Sequence, residues 1–192
     1  MSEPSETRAA ILTVAEQLFS RRGYESVGIQ EIVDTAGITK PTLYYYFGSK
    51  DGLLETIVAE KGTALTDLVR RDVEYAHNLE INLTSLFKDT LRFAQENQDY
   101  FRLLVNLFSS APETAAYRTG GALKGQLAAM LEALFNNASR DHGNMIGREK
   151  IYAVTFFALL ENCGLLAING ETDFTDYVQY RIIHQYMHGI FS

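Results

Sequence analysis

Apolar side chains recur along most of this chain with the three- and four-residue spacing of amphipathic helices. Between residues 7 and 22 one such stripe consists of Ile11, Val14, Ala15, Leu18 and Phe19. The stripe ends at Gly23, because glycine readily adopts the left-handed conformation that terminates a helix. Shorter stripes predict helices over residues 29–36 and 40–47, and a long fourth helix begins after Ser49.

The rest of the chain shows five further helical stretches and no convincing strand pattern. They are predicted over residues 81–97, 100–109, 113–136, 148–169 and 174–191. The connecting segments are rich in residues that end helices and form loops. The pattern predicts an all-α fold of about nine helices. We expect an N-terminal three-helix domain over residues 1–52 and a larger helical domain over residues 53–192.

The amino-acid composition is that of a folded globular protein. The chain has 192 residues, of which 46% are hydrophobic and 21% charged, so it can build a core and is unlike disordered proteins. The single cysteine, Cys163, favours a reducing compartment, and residues 1–10 do not resemble a secretory signal. The apolar window 151–168 is interrupted by Glu161 and Asn162 and is short for a membrane span. We expect a cytoplasmic protein without a membrane segment.

The net charge of −7 weighs against a strongly basic nucleic-acid-binding protein. The charge is unevenly distributed, however, since Thr35 to Lys50 contains two lysines and no acidic residue. Salt screens charges beyond about 8–10 Å, so DNA binding needs a local positive face rather than a positive protein. The segment 35–50 is therefore the candidate DNA-binding surface.

Two short helices joined by a tight turn at Gly37 follow the first helix, which is the arrangement of a helix-turn-helix. In this motif the second short helix enters the major groove, and here it would be residues 40–47. Leu43 and Phe47 take its inward positions. Its remaining face can donate hydrogen bonds to bases or phosphates through Lys40, Thr42, Tyr44, Tyr45 and Tyr46.

The sequence AGITKPTLYYYFGSK, residues 36–50, resembles the signature of the TetR (tetracycline-repressor-like) family around its recognition helix. The preceding Gly23-Tyr24 pair also fits. The resemblance implies contacts with bases or the groove wall for Thr39, Lys40, Pro41, Thr42 and Tyr45. It implies contacts with phosphates, or support of the helix, for Tyr44 and Tyr46, a phosphate contact for Lys50, and a base contact for Gln30.

The chain departs from the family at Val27 and Gly28. The family usually has hydroxyl residues there, which cap the second helix and touch a phosphate. Two substitutes are open: Ser26 caps the helix instead, or the amide of Gly28 meets the phosphate directly.

The resemblance also implies a function for the larger domain. It would dimerise through the last two helices and bind a hydrophobic small-molecule effector. The expected ligand-binding residues are Leu104, Phe108, Tyr117, Met130, Phe156 and Asn162. The chain would then be a homodimeric repressor that leaves a palindromic operator in double-stranded DNA when the effector binds.

Two other classes of protein remain open. A ligand-independent DNA-binding module would share the N-terminal domain and lack an effector cavity. A small helical enzyme is disfavoured, because the chain shows no nucleophile elbow, phosphate-binding glycine loop or metal-ligand pattern. His184 and His188 have a spacing that occurs in zinc sites but lack a third ligand, so we expect a surface or interface pair. We expect no catalytic residue, metal or cofactor.

Overall fold

A computed structural model describes residues 4–189 of the chain. Every regular element in this part is helical, which confirms the all-α fold. The nine α-helices are α1 (Pro4–Arg22), α2 (Ile29–Ala36), α3 (Lys40–Phe47), α4 (Lys50–Asp72), α5 (Leu79–Glu96), α6 (Gln98–Phe108), α7 (Ala115–Ala138), α8 (Glu149–Ile168) and α9 (Asp176–His188). A short 3-10 turn, Gly143–Met145, precedes α8.

The predicted boundaries differ from these mainly at the ends of helices. Helix α1 begins at Pro4, three residues before the predicted start, and α9 begins two residues after its predicted start. The last two residues of the predicted ninth helix, 190 and 191, lie outside the described residues.

The chain divides into two compact units. The first contains the chain up to Thr63 together with Asp99–Leu123, and the second contains Ala64–Gln98 together with the chain from Lys124 onward. Helices α4 and α7 each begin in the first unit and end in the second. The predicted boundary at residue 52 separates a DNA-binding role from a ligand-binding and dimerisation role. The division by packing does not test these roles, so the boundary stays a prediction.

The first unit is built on a core of side chains from α1, α2, α3 and the start of α4. Its fully or nearly fully buried members include Ile11, Ala15, Phe19, Val27, Ile32, Val33, Leu43, Leu53 and Leu54. Helix α6 belongs to the same unit, and its Tyr100 hydroxyl donates a 3.0 Å hydrogen bond to the Val58 carbonyl of α4. The hydroxyl of Ser20 in α1 donates to Asp99, and the Asn106 amide donates to the Ser20 carbonyl. Helix α6 is therefore joined to α1 and to α4 within the first unit.

In the second unit α5 packs against α8 and α9. Its Asn82 is buried and its amide donates to the carbonyls of Asp72 and Glu74, which anchors the end of α4. The Tyr186 hydroxyl of α9 donates to the Tyr152 carbonyl of α8 at 2.6 Å. Burial raises the pKa of Tyr186 to about 12, so this hydroxyl remains a donor at neutral pH.

Helix α8 is unusually apolar for its degree of burial. Its length and composition would allow it to cross a membrane, yet only 28% of its most apolar window is buried. Apolar helices of proteins that never enter a membrane pass the same test. What distinguishes α8 is an exposed apolar face that includes Ile151 and Val154.

Candidate nucleic-acid interface

The turn between α2 and α3 is fixed by local chemistry. Gly37 has φ 66° and ψ 34°, the left-handed conformation that closes a helix, and its amide donates to carbonyls of Asp34 and Val33. The Ile38 amide then donates to the Val33 carbonyl at 3.0 Å. This double closure ends α2 sharply and lets α3 start after three connecting residues, Gly37, Ile38 and Thr39.

Helix α3 begins with a side-chain cap. The Thr39 hydroxyl oxygen accepts a hydrogen bond from the Thr42 amide, and Pro41 occupies the first turn, where its missing amide costs no helical bond. The hydroxyls of Thr39 and Thr42 lie 2.9 Å apart. Both predicted contact residues are thus part of the cap, so their position is set by the helix start.

Burial separates the two faces of α3. Leu43 and Phe47 are buried, whereas Lys40, Pro41 and Tyr44 are exposed and Tyr45 is 82% exposed. Tyr46 is half-buried, and its ring lies 5.1 Å from that of Tyr45 in an edge-to-face arrangement. Tyr44 and Tyr45 are exposed beside Lys40, and the packing of α3 does not require aromatic side chains on its solvent-facing side. Their hydroxyl groups and the lysine ammonium can donate hydrogen bonds to DNA.

Gln30 lies on the exposed face of α2. Its side-chain amide donates a 2.8 Å hydrogen bond to the Asp34 carboxylate one turn later. Contact with a base would require the Gln30 side chain to exchange this partner.

The ammonium of Lys50 lies at a junction inside the first unit. Its Nζ donates to the Tyr24 carbonyl and to the Val27 carbonyl, each at 2.8 Å, and sits 4.1 Å from the centre of the Tyr24 ring. The Tyr24 hydroxyl donates to Asp51, the next residue of α4. Burial lowers the pKa of Lys50 and raises the pKa of Tyr24. The junction fixes the start of α4 to the loop between α1 and α2.

The departure at residues 27 and 28 has a structural explanation. Val27 is 1% exposed and belongs to the core, so a hydroxyl there would lose apolar burial. Gly28 is the N-cap of α2, and no described side chain caps that helix. The Ser26 hydroxyl donates to the carbonyls of Arg22 and Gly23 instead. The alternative in which Ser26 caps α2 is therefore wrong, and the backbone amides at Gly28 remain available to a phosphate.

The six predicted ligand-binding residues are distributed over both units. Leu104 and Phe108 lie one turn apart on α6, and Tyr117 is exposed at the start of α7; these three belong to the first unit. In the second unit Met130 lies on α7, and Phe156 and Asn162 lie on α8.

Their side chains differ as much as their positions. Phe156 is fully buried, with its ring 5.0 Å from that of Tyr186, whereas Asn162 is exposed and its amide donates to the Ala158 carbonyl. A common ligand site for the six residues stays a prediction.

Sequence reasoning missed a cavity of about 520 Å³ within the second unit. It is lined by His77, Asn78, Leu79, Glu80, Leu83, Phe135, His142, Asn144, Met145, Tyr152, Tyr186, Met187 and His188. None of the six predicted ligand-binding residues is among them. The only signal in the sequence was the small number of histidines, four in the whole chain, and their spacing gave no reason to group them.

Comparison with known proteins matches this geometry. The sequence profile described as "Bacterial regulatory proteins, tetR family" matches residues 11–57, which span most of α1 and all of α2 and α3 and end early in α4. The HTH-type transcriptional activator FasR of Mycolicibacterium smegmatis is 29% identical over 167 residues, covering 86% of this chain and 74% of that protein.

Two solved structures share the fold over nearly the whole chain. A Clostridium perfringens protein described as a fatty acid metabolism regulator has a TM-score of 0.78 at 22% identity, covering 95% of this chain and 99% of that one. The transcriptional regulator FadR from Bacillus subtilis, solved in complex with stearoyl-CoA, has a TM-score of 0.76 at 13% identity, covering 95% and 98%. With a tetR-family profile on its helix-turn-helix and transcriptional regulators among its relatives, the chain is a DNA-binding transcriptional regulator whose N-terminal segment is similar to the tetR family.

Proposed function

We propose that the chain is a cytoplasmic homodimeric repressor that reads a palindromic operator with α3 and releases it when a hydrophobic effector binds. The observation that carries the DNA-binding part is the exposed face of α3, where Lys40, Tyr44 and Tyr45 project from a helix whose other face is buried. Because α3 is only eight residues long, these side chains would meet one short stretch of major groove.

Removal of the Lys40 ammonium and removal of the Tyr44 hydroxyl are expected to weaken operator binding by different amounts. Lys40→Ala is expected to weaken operator binding about tenfold, and Tyr44→Phe about three- to tenfold, because each removes one donor near DNA. Lys40→Ala should also reduce the slope of log affinity against log salt by about 1 if Lys40 neutralises a phosphate. The operator would be selected from genomic fragments, and affinity measured by fluorescence anisotropy over a salt series.

A matched control is Arg140→Ala, which removes an exposed cation from the second unit. It should leave operator affinity and salt slope unchanged. Equal affinity of the Lys40 variant and the parent chain would contradict the assignment of Lys40, provided both unfold at the same temperature.

The proposed dimer interface is the exposed face of α8 and α9. Ile151 and Val154 on α8 and Tyr177 and Tyr180 on α9 are more than half exposed, and each pair has the three-residue spacing of one helix face. Several large apolar and aromatic side chains exposed on the last two helices are unusual on a monomer and typical of a homodimer interface. A two-fold dimer would also give the protein the symmetry of a palindromic operator.

The dimer interface can be tested with a pair of isoleucines of equal exposure. Ile151→Glu is expected to convert the dimer to a monomer at micromolar concentration, because it places two carboxylates at a two-fold interface. Ile81→Glu is the control, since Ile81 on α5 is 62% exposed against 64% for Ile151. Light scattering without detergent measures the mass of each variant in solution. A dimer that survives Ile151→Glu would place the interface elsewhere. A parent chain that needs detergent to stay in solution would point to a membrane role for α8.

The effector is proposed to be hydrophobic, and acyl-CoA thioesters are the first class to test because FadR, which shares the fold, was solved with stearoyl-CoA. An effector shifts the DNA-binding equilibrium only if it binds the released state more tightly than the bound state. We propose that α4, continuous from Lys50 to Asp72, carries the change towards the helix-turn-helix.

A ligand-independent DNA-binding module is the second candidate. It would bind the operator with the same affinity in the presence and absence of every effector tested. The sign of control also needs a measurement, since FasR is named an activator. Transcription from the selected operator, with and without the protein, distinguishes repression from activation.

A further inference from the structure

Three of the four histidines of the chain meet at one cavity in the second unit. His77 follows the end of α4, His142 precedes the 3-10 turn and His188 is the last residue of α9. All three are exposed and form the rim of the cavity with Asn144. Residues 65 and 46 positions apart in sequence thus line a single cavity.

The floor of the cavity is apolar. Leu83 and Phe135 are 0% and 1% exposed, and Leu79 and Met145 are also buried. The ring of Phe135 lies 5.8 Å from the half-buried ring of Tyr152. A volume of about 520 Å³ is typical of a site for a small organic molecule, and an apolar floor with a few polar groups at the mouth is the usual construction of such sites.

His77 is held in place at a conformational cost. It is one of two described residues other than glycine with positive φ, at 59°. Such backbone is retained only where surrounding contacts hold it, and these positions cluster at functional sites. Here Asp141 lies 2.6 Å from His77 Nδ1 and accepts a hydrogen bond from the Tyr75 hydroxyl at 3.0 Å. The contact with Asp141 restrains the His77 ring at its Nδ1.

The mouth offers hydrogen-bond donors that suit a carboxylate, since the imidazoles of His77, His142 and His188 and the amide of Asn144 carry N–H groups. The Asp141 carboxylate is already engaged by His77 and Tyr75, and these hydrogen bonds lower the pKa of Asp141. Glu80 is the other acidic residue in the lining, and it lies in the first turn of α5, where the positive end of the helix dipole offsets its charge. The Nε2 of His77, the imidazoles of His142 and His188 and the Asn144 amide remain for a ligand, whereas Asn78 already caps the start of α5. Among the described residues no three His, Cys, Asp or Glu side chains are arranged to hold a metal ion.

We propose that this cavity binds an apolar molecule carrying one carboxylate, with its body on the floor formed by Leu83, Phe135 and Tyr152 and its carboxylate at the histidine rim. This inference rests on the proposed function in one respect, namely that the bound molecule would be the effector that changes operator binding. Binding itself is tested without DNA.

The test uses three probes that share one apolar body: 2-naphthoate, 2-naphthamide and 2-naphthylmethylammonium. Calorimetry on the full chain should show binding of the naphthoate, at least tenfold weaker binding of the amide and weaker still of the cation. His188→Gln and His77→Gln should each weaken naphthoate binding about tenfold. Asn144→Trp, which fills the mouth at an exposed position, should abolish it.

Lys150→Gln is the matched control, because Lys150 is exposed in the second unit and does not line the cavity, whereas the ring of His184 lies only 4.5 Å from that of His188. It should bind naphthoate like the parent chain. Unchanged melting temperatures of the unliganded variants would show that they fold.

Absence of naphthoate binding, equal binding of the three probes, or full binding by the Asn144 variant would each overturn the proposal. If naphthoate binds as expected but leaves operator affinity unchanged, the site stands and its role as effector site in the proposed function fails. If operator binding itself is missing while naphthoate binds, the proposed function fails independently of the cavity.

Discussion

Gly52→Ala is expected to destabilise the first unit by about 3 kcal/mol, although alanine normally stabilises a helix interior relative to glycine by about 1 kcal/mol. Gly52 lies in the first turn of α4, where a methyl group would be placed directly against the carbonyl oxygen of Phe47 and 3.4 Å from its carbonyl carbon. These are backbone atoms at the end of α3, so no side-chain rotation relieves the clash. Either α4 or α3 must shift.

The measurement is urea denaturation followed by circular dichroism, with operator affinity determined at a concentration where the variant is folded. Affinity should fall as well, because a displaced end of α3 moves Tyr44 and Tyr45 relative to the DNA. Gly125→Ala is the control: Gly125 is exposed within α7, nothing lies within 4 Å of its added methyl group, and a gain of about 1 kcal/mol is expected. Equal gains at both positions would show that α3 and α4 tolerate closer packing than described.

Lys50→Met is expected to reduce the free energy of unfolding by about 2 kcal/mol, because it removes a charged donor from two backbone carbonyls and leaves them without it. The ammonium contacts with Tyr24 and Val27 hold the loop that leads into α2, and that loop carries the Gly28 amide. Loss of the junction should therefore weaken operator binding even under conditions where the variant is folded.

The salt dependence of binding separates positioning from direct contact. If Lys50 acts by holding the loop, Lys50→Met lowers affinity and leaves the salt slope close to that of the parent chain. If it contacts a phosphate, the slope falls by about 1. Lys40→Met, at an exposed position, should change the free energy of unfolding by less than about 0.5 kcal/mol. A Lys50 variant as stable as the parent would contradict the structural role.

The helix-turn-helix was predictable because its determinants are local in sequence. The left-handed turn needs Gly37, the start of α3 needs Thr39, and the spacing of Leu43 and Phe47 marks the buried face. Each signal lies within a few residues of the element it defines. The family resemblance was carried by the same segment.

Features that depend on distant contacts were not predictable. Membership of α6 in the first unit depends on Ser20 with Asp99 and on Tyr100 with Val58, which only tertiary packing brings together. The histidine cavity has the same character. A lysine at position 50 reads equally well as a phosphate ligand or as a structural cation, and only the two carbonyls beside its Nζ reveal the second role.

The uncapped start of α2 has a consequence for how this protein could evolve. Where a hydroxyl side chain holds a phosphate, one base change in the gene can remove the contact. At Gly28 the amide is a backbone group, and an added methyl group there would meet nothing within 4 Å. A phosphate contact made through this amide, as proposed, would therefore survive replacement of Gly28 by alanine. Divergence in operator preference would then arise on α3 and at Gln30 of α2, where each predicted donor is a separate side chain.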